Sequence, residues 1–336
     1  MTDQNQWLED RRKGVGGSDV AAILGLSPYR TPVTTWLDKT GQDTGEEVSE
    51  KSHELMHWGH TLEDVVAKEF EARTKMKVQR VNKQLITGEN GWMRANIDRA
   101  IINTEISGTV RVIPEEKRTD GRMLTTDVIL ECKTAHAFSA DQWGPSQEDE
   151  IIYGTVVTEH KIPLYYETQV QWYLGITGAK TCYVAVLIGG NDFRIYKVDR
   201  DEEAIRMIVE KCREFWFGYV LTKKEPKPIN IDDIRALYKR ETGPMVECTN
   251  EAAVLISEYR NVRQRIAELK TEQDDLSKQI AEFIGPNEGL LINGEKAVTF
   301  KAQTRKTTDS TKLKKVNPPL WADLQKESTT RILRVL

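Results

Sequence analysis

Two residues apart in the stretch VILECKTA, Glu131 and Lys133 put a carboxylate and an ammonium on one face of what reads as a β-strand. Burying such charges is costly unless each has a partner, so a strand that is otherwise apolar and β-branched carries them for a chemical reason. A second acid, Asp98, lies 33 residues earlier in the similarly apolar WMRANIDRAII. Two carboxylates at the ends of adjacent strands supply hard oxygen ligands for Mg²⁺, an ion that keeps several waters and suits phosphate chemistry. A lysine beside that ion would orient or deprotonate the attacking water and offset charge growing on phosphorus. Cys132, between the two, could offer only its backbone carbonyl. An isolated E-x-K is more simply a salt bridge at a sheet edge. Here GHTLEDVVAKEF adds Glu63 on a helix, and YETQVQWYLG places Gln169 and Tyr173 one helical turn apart, so four signals follow in order.

The elements that must position these residues are legible in the pattern. Helices are predicted over Ser18–Leu24, entered through the turn GVGGSD with Ser18 or Asp19 as cap, and over Pro32–Thr40. Helical periodicity also runs over Thr61–Thr74, Pro163–Ile176 and Asp201–Leu221. Extended stretches are expected at Met76–Val81, Trp92–Ile102, Thr109–Ile113 and Thr126–Thr134, with CYVAVLIGG and FRIYKVD as a strand pair turning at residues 189–192. The order implies an α/β fold, a mixed central sheet flanked by helices, over residues 1–222. KKEPKPINI reads as part of a linker, 223–249. Residues 250–336 form a C-terminal extension. It comprises a long amphipathic helix, Asn250–Ile284, a basic hairpin at LLING-EKAVTFKAQ and a last strand at RILRVL. Gln273 interrupts the helix's apolar stripe, so packing on the hairpin is expected in preference to an extended coiled coil.

Composition excludes several classes. A chain of 336 residues with 39% hydrophobic and 30% charged residues has core enough to fold without staples. No apolar run approaches a membrane span, and MTDQNQWLEDRRKG lacks the apolar core of a signal peptide, so a cytoplasmic protein is expected. Four scattered cysteines with no CxxC pair indicate neither a disulfide framework nor a cysteine-held cluster. The net charge of −4 argues weakly against nucleic acid, but it conceals a tail, 296–336, with ten Lys/Arg against three Asp/Glu; 141–150 is acidic and loop-like. No internal repeat is visible.

The order Asp98, Glu131-Cys132-Lys133, Gln169 and Tyr173 resembles the PD-(D/E)xK nuclease superfamily, and within it the lambda exonuclease-like, YqaJ-type viral recombinases. The opening WLEDRRKGVGGSDVAAILGLSPYRTPVTTWLDKTG is similar to the start of that family, and G-x-x-x-E at Glu63 matches its first acidic motif; the likeness spans roughly residues 7–222. It implies a restriction-endonuclease-like core in which Asp98 and Glu131 bind divalent metal, Mg²⁺ with Mn²⁺ as substitute. Glu63 would assist through the metal or its water, and Lys133 and Gln169 would position the nucleophile. It also implies that Arg11 and Ser18 receive a terminal 5′-phosphate. A Gly-rich turn with free N–H groups, a serine hydroxyl and an arginine has the chemistry for that. Arg12 competes with Arg11, though the four-residue spacing from Trp7 favours Arg11.

The implied activity is a Mg²⁺-dependent 5′-to-3′ exonuclease on duplex DNA ends, leaving a 3′ single strand for an annealing protein. A ring-shaped trimer in a bacterial host cell, of phage or prophage origin, is implied with it. An endonuclease of the same fold and a non-catalytic DNA-binding protein are the alternatives; retention of both acids and the lysine argues against the second. The sequence departs from the family pattern in two places. Its first acid sits in NID rather than a proline-containing PD, and after E-x-K the stretch THAFSAD supplies only His136 where some relatives carry an arginine. His53, His57 and His60 share a helical face, a zinc-like spacing. Without HExxH or a nearby cysteine they read as surface or DNA-facing groups.

Overall fold

The computed structural model describes residues 9–42, 50–102, 109–118, 122–153, 162–307, 309–325, 330 and 332–335. The chain divides into two units, Met1–Leu237 and Tyr238–Leu336. In chain order the first unit contains α1 (Gly17–Ile23), α2 (Pro32–Lys39), α3 (Glu50–Thr74), β1 (Val78–Arg80), β2 (Leu85–Thr87), β3 (Met93–Ala95), β4 (Arg99–Ile101) and β5 (Val128–Ala135). It continues with α4 (Glu148–Tyr153), α5 (Leu164–Thr177), β6 (Thr181–Ile188), β7 (Asp192–Asp199), α6 (Glu202–Phe215) and α7 (Ile231–Leu237).

Five strands form one mixed sheet in the order β1-β4-β5-β6-β7, with β5 and β6 parallel and the other neighbours antiparallel. The parallel pair follows from the chain crossing through α5 between β5 and β6. Alternation along β5 divides its side chains between two apolar clusters. Leu130 and Cys132 join Val66, Ala67 and Phe70 of α3, while Ile129 joins Val170 and Trp172 of α5. α5 is buried along most of its length and ends at Gly178, whose φ of 71° is the left-handed conformation that closes a helix.

The elements depart from the sequence expectations at several points. E-x-K stands on the central strand rather than at a sheet edge, so the edge salt bridge is excluded. The stretch 92–102 breaks into β3, paired with the unforeseen β2, and β4, paired with β1 and β5, with Asp98 at the bend between. Residues 109–113 form no strand, only a bridge from Val112 to Leu124. α3 begins well before Thr61; its first turns show no stripe because Leu55, Met56 and Trp58 are exposed. The acidic loop gains a 3-10 turn, Ala137–Gln142, and α4. The cap of α1 is Gly16, whose N–H donates to Asp19 Oδ2 at 3.0 Å, so Ser18 lies inside the first turn.

Within the span expected as linker, α7 belongs to the first unit. Buried Asp233 accepts a hydrogen bond from the Thr31 hydroxyl, at the cap of α2, and another from Ile229 N–H at 2.8 Å. Trp36 Nε1 likewise donates to Tyr219 carbonyl at 3.0 Å, tying α2 to the turn after α6.

The second unit contains the 35-residue α8 (Asn250–Ile284), capped by Thr249, the hairpin β8 (Gly289–Ile292) and β9 (Glu295–Thr299), and the short helices α9 (Ser310–Val316) and α10 (Pro318–Asp323). Residues 332–335 of RILRVL carry no strand; the ends of that stretch, like Trp7, lie outside the described residues. The stripe of α8 is not covered by the hairpin as expected. Leu269, Leu276 and Phe283 are exposed, and so are the hairpin's own Leu291 and Ile292. Among the described residues no helix is long and apolar enough to cross a membrane.

Candidate active site

β5 and α5 supply the centre. Glu131 is 3% exposed. Its Oε1 accepts from Lys133 Nζ at 2.6 Å and from Gln169 Nε2 at 2.8 Å. Lys133 Nζ also donates to Gln169 Oε1 at 3.2 Å and lies 4.7 Å from the centre of the Tyr166 ring. Gln169 Nε2 donates in addition to the Tyr173 hydroxyl at 3.0 Å, the one-turn spacing on α5 that the sequence suggested. Asp98 enters from the bend before β4, and its Oδ2 accepts from Cys132 N–H at 2.8 Å. The Cys132 side chain faces the other cluster, beneath α3, so only its backbone reaches this site.

The charges do not balance. Burial, and then the neighbouring Glu131, push the Asp98 carboxyl up to about 8. Burial also raises Glu131, against the pull of Lys133. Burial disfavours the Lys133 ammonium, but Glu131 and Asp98 outweigh it and hold the amine protonated. Glu131 Oε2 is buried and has no hydrogen-bond partner. Such an oxygen costs stability unless something occupies it. A buried carboxylate and a half-buried one beside it, short of positive charge and with one oxygen unpartnered, fit a divalent cation that prefers oxygen and retains water.

Glu63 is not part of this carboxylate pair. It projects from α3 on the opposite side of β5 and is held by the guanidinium of Arg99, which also grips Asp64; Arg80 Nη2 lies 3.8 Å from Glu63 Oε1. Its charge still reaches the site as a smaller contribution to raising both Asp98 and Glu131. Among the described residues no three His, Cys, Asp or Glu side chains come together as a metal cluster. His53, His57 and His60 lie exposed along α3, as expected of surface groups.

A cleft of about 220 Å³ adjoins the centre, lined by Arg11, Ser18, Asn96, Arg94 and Tyr173 among others. Tyr173 therefore belongs to both. A Cβ on Gly17 would collide with the Tyr173 ring, so only glycine lets α1 approach α5 this closely. Arg11 is oriented by buried Asp19, whose carboxylate it meets at 3.2 Å. Burial opposes the Asp19 charge, but Lys39 at 2.6 Å, Arg11, and Arg30 at 3.2 Å outweigh it and hold that carboxyl well below the usual range. Arg12 donates through Nε to the Asp38 carbonyl at 3.0 Å, and of the two arginines Arg11 lines this cleft.

The sequence reading passed over Arg94. Its Nη1 donates to Gln84 at 2.8 Å, while its buried Nε has no hydrogen-bond partner. A Cβ on Gly14 would sit 2.7 Å from that Nε, so glycine makes room for the guanidinium. The signal was present: Arg94, Asn96 and Asp98 are spaced by two in MRANID, the alternation already used for E-x-K. Arg99, which captures Glu63, was missed because it was read only as a strand residue.

Residues 6–180 match the YqaJ-like viral recombinase domain. The chain is 34% identical over 335 residues to the uncharacterized protein YqaJ of Bacillus subtilis (strain 168), across 98% of this chain and 92% of that protein. Among solved structures it is similar to the alkaline exonuclease LHK-Exo from Laribacter hongkongensis, with 15% identity, 66% of this chain and 94% of that chain covered, and a TM-score of 0.43. It is also similar to a phage-related exonuclease from Haemophilus somnus 129PT, with 12% identity, 62% and 95% covered, and a TM-score of 0.40.

Proposed function

The chain belongs to the YqaJ-like viral recombinase family, and on that premise we propose that it is a Mg²⁺-dependent deoxyribonuclease that digests one strand of duplex DNA from its 5′ end. The observation that carries the reading is the pairing of half-buried Asp98 with buried Glu131, with Glu131 Oε2 unpartnered and Lys133 hydrogen-bonded beside it. Asp98 and Glu131 would hold the ion, which when bound supplies Lewis-acid stabilisation of a phosphodiester oxygen; Mn²⁺ would substitute. Lys133, fixed by Glu131 and Gln169, offsets negative charge on the pentavalent phosphorus and orients the attacking water by hydrogen bonding. Glu63, anchored by Arg99, acts on the centre through its field.

The cleft supports the choice of an exonuclease over an endonuclease. Arg11, Ser18 and Arg94, together with Asp10 and Asp19, line the cleft that shares Tyr173 with the centre, where a terminal 5′-phosphate would receive charge-assisted hydrogen bonds from the arginines and the serine. Arg94 stands in for the arginine that the sequence lacks after E-x-K. A single-strand annealing protein as partner and a ring-shaped trimer rest on the resemblance alone.

The deciding experiment offers Mg²⁺ and the protein two substrates, linear duplex with 5′-phosphate ends and covalently closed circular duplex. Loss of linear DNA with the circle intact is expected. Cutting of the circle at a comparable rate would establish the endonuclease reading, and no Mg²⁺-dependent cutting of either would leave a DNA-binding protein.

A further inference from the structure

We propose that α8 pairs with the α8 of a second copy of this chain as a parallel, in-register, two-stranded coiled coil. Its apolar positions recur with alternating spacings of four and three from Leu255 to Phe283, which is the seam of a heptad repeat sustained over four heptads. In that register Tyr259, Ile266, Gln273 and Ile280 occupy the a positions, and Leu255, Val262, Leu269, Leu276 and Phe283 the d positions. All eight apolar members are exposed.

The choice of occupant comes from the seam itself. Isoleucine at a with leucine at d favours two strands. Gln273 is the one polar seam residue. In a parallel pair, a faces a, so the two Gln273 amides meet and satisfy each other. In an antiparallel pair that sets Tyr259 against Phe283, Gln273 would face Leu269 of the second copy and bury its amide unpaired, at a cost. Flanking charges point the same way. The parallel register sets Glu258 against Arg263 and Arg265 against Lys270, one attraction and one repulsion. The antiparallel register sets Glu272 against Glu272 and Lys270 against Lys270, two repulsions. Eight apolar side chains per copy, each losing on the order of 100 Å², would remove roughly 1,600 Å² from water, the size of a stable interface.

This pairing is separate from the nuclease reading and from any assembly of the first unit. Its test uses the full chain. Light scattering at micromolar concentration should give the unaltered protein a larger particle mass than the Leu269→Glu/Leu276→Glu variant where α8 alone joins the copies; equal masses together with a failure to cross-link in the second measurement would overturn the pairing. Because two glutamates could disturb folding, a second measurement leaves the seam nearly intact. Val262→Cys, made with the exposed Cys248 changed to serine, should form a disulfide-linked dimer on mild oxidation, and Ile280→Cys should do the same. No cross-link in either, or a cross-link only when the two variants are mixed, would overturn the parallel register; the mixed-only result would mark an antiparallel pair.

Discussion

Asp98 is the residue on which the chemistry of the centre is most open to measurement. Its carboxyl is pushed up to about 8, from an ordinary 3.8, by burial and by Glu131. The unfolded chain therefore releases this proton first as pH rises. The contribution of Asp98 to stability is complete below about pH 4 and is lost by about pH 8. A cation that binds the ionised pair reverses that loss, so Mg²⁺ should raise the melting temperature more at pH 8 than at pH 5. Asp98→Asn, neutral throughout, should flatten both responses; a variant with the parent's Mg²⁺ shift would show that the ion binds elsewhere. In activity, Asp98→Ala and Glu131→Ala should each cost about 4 kcal/mol of barrier, roughly a thousandfold in rate, with duplex binding largely kept. Lys133→Ala should slow single-turnover cleavage without removing the Mg²⁺ thermal shift. At the cleft, Arg11→Ala or Arg94→Gln should each erase a preference for 5′-phosphate over 5′-hydroxyl ends. A charge-assisted contact of about 1.5–3 kcal/mol corresponds to a tenfold to hundredfold preference. Equal rates on both ends in the parent protein would remove the phosphate from this cleft.

Elements place these residues by means that were only partly legible. The alternation of β5 and the helical turn between Gln169 and Tyr173 are local patterns, and both are realised as read. The bend that presents Asp98 left only a faint trace, the adjacent polar pair Asp98-Arg99 that interrupts the alternation begun at Arg94, and the pairing of β3 with β2, away from the main sheet, left none. β2 itself is three residues long, too short to register as a period. The fate of Glu63 was hidden for another reason. A carboxylate's partner across the fold, here Arg99 36 positions away, leaves no trace in spacing. α7 is a comparable case, fastened to α2 by one buried side chain. Asp233→Ala would leave the Thr31 hydroxyl and the Ile229 N–H without their acceptor and should cost about 1–3 kcal/mol in urea unfolding. A loss near zero would mean that water replaces the carboxylate.

At the scale of the whole molecule, the first unit holds every residue of the candidate site and closes at Leu237. A chain ending there should fold and retain Mg²⁺-dependent cleavage. One ending at Leu221 loses the Thr31–Asp233 tie and should unfold at lower urea. If the longer truncation is unfolded, the second unit is needed for the core. The shared position of Tyr173 has one more consequence. Its ring lines the cleft while its hydroxyl is bound by the amide that also holds Glu131. If the cleft seats a strand end and the centre severs it, as proposed, the stop and the amide that steadies the blade are bolted to the same short piece of helix. Such a gauge cannot drift, so each cut should release fragments of one length from the first turnover to the last, whatever the base composition of the strand being fed through.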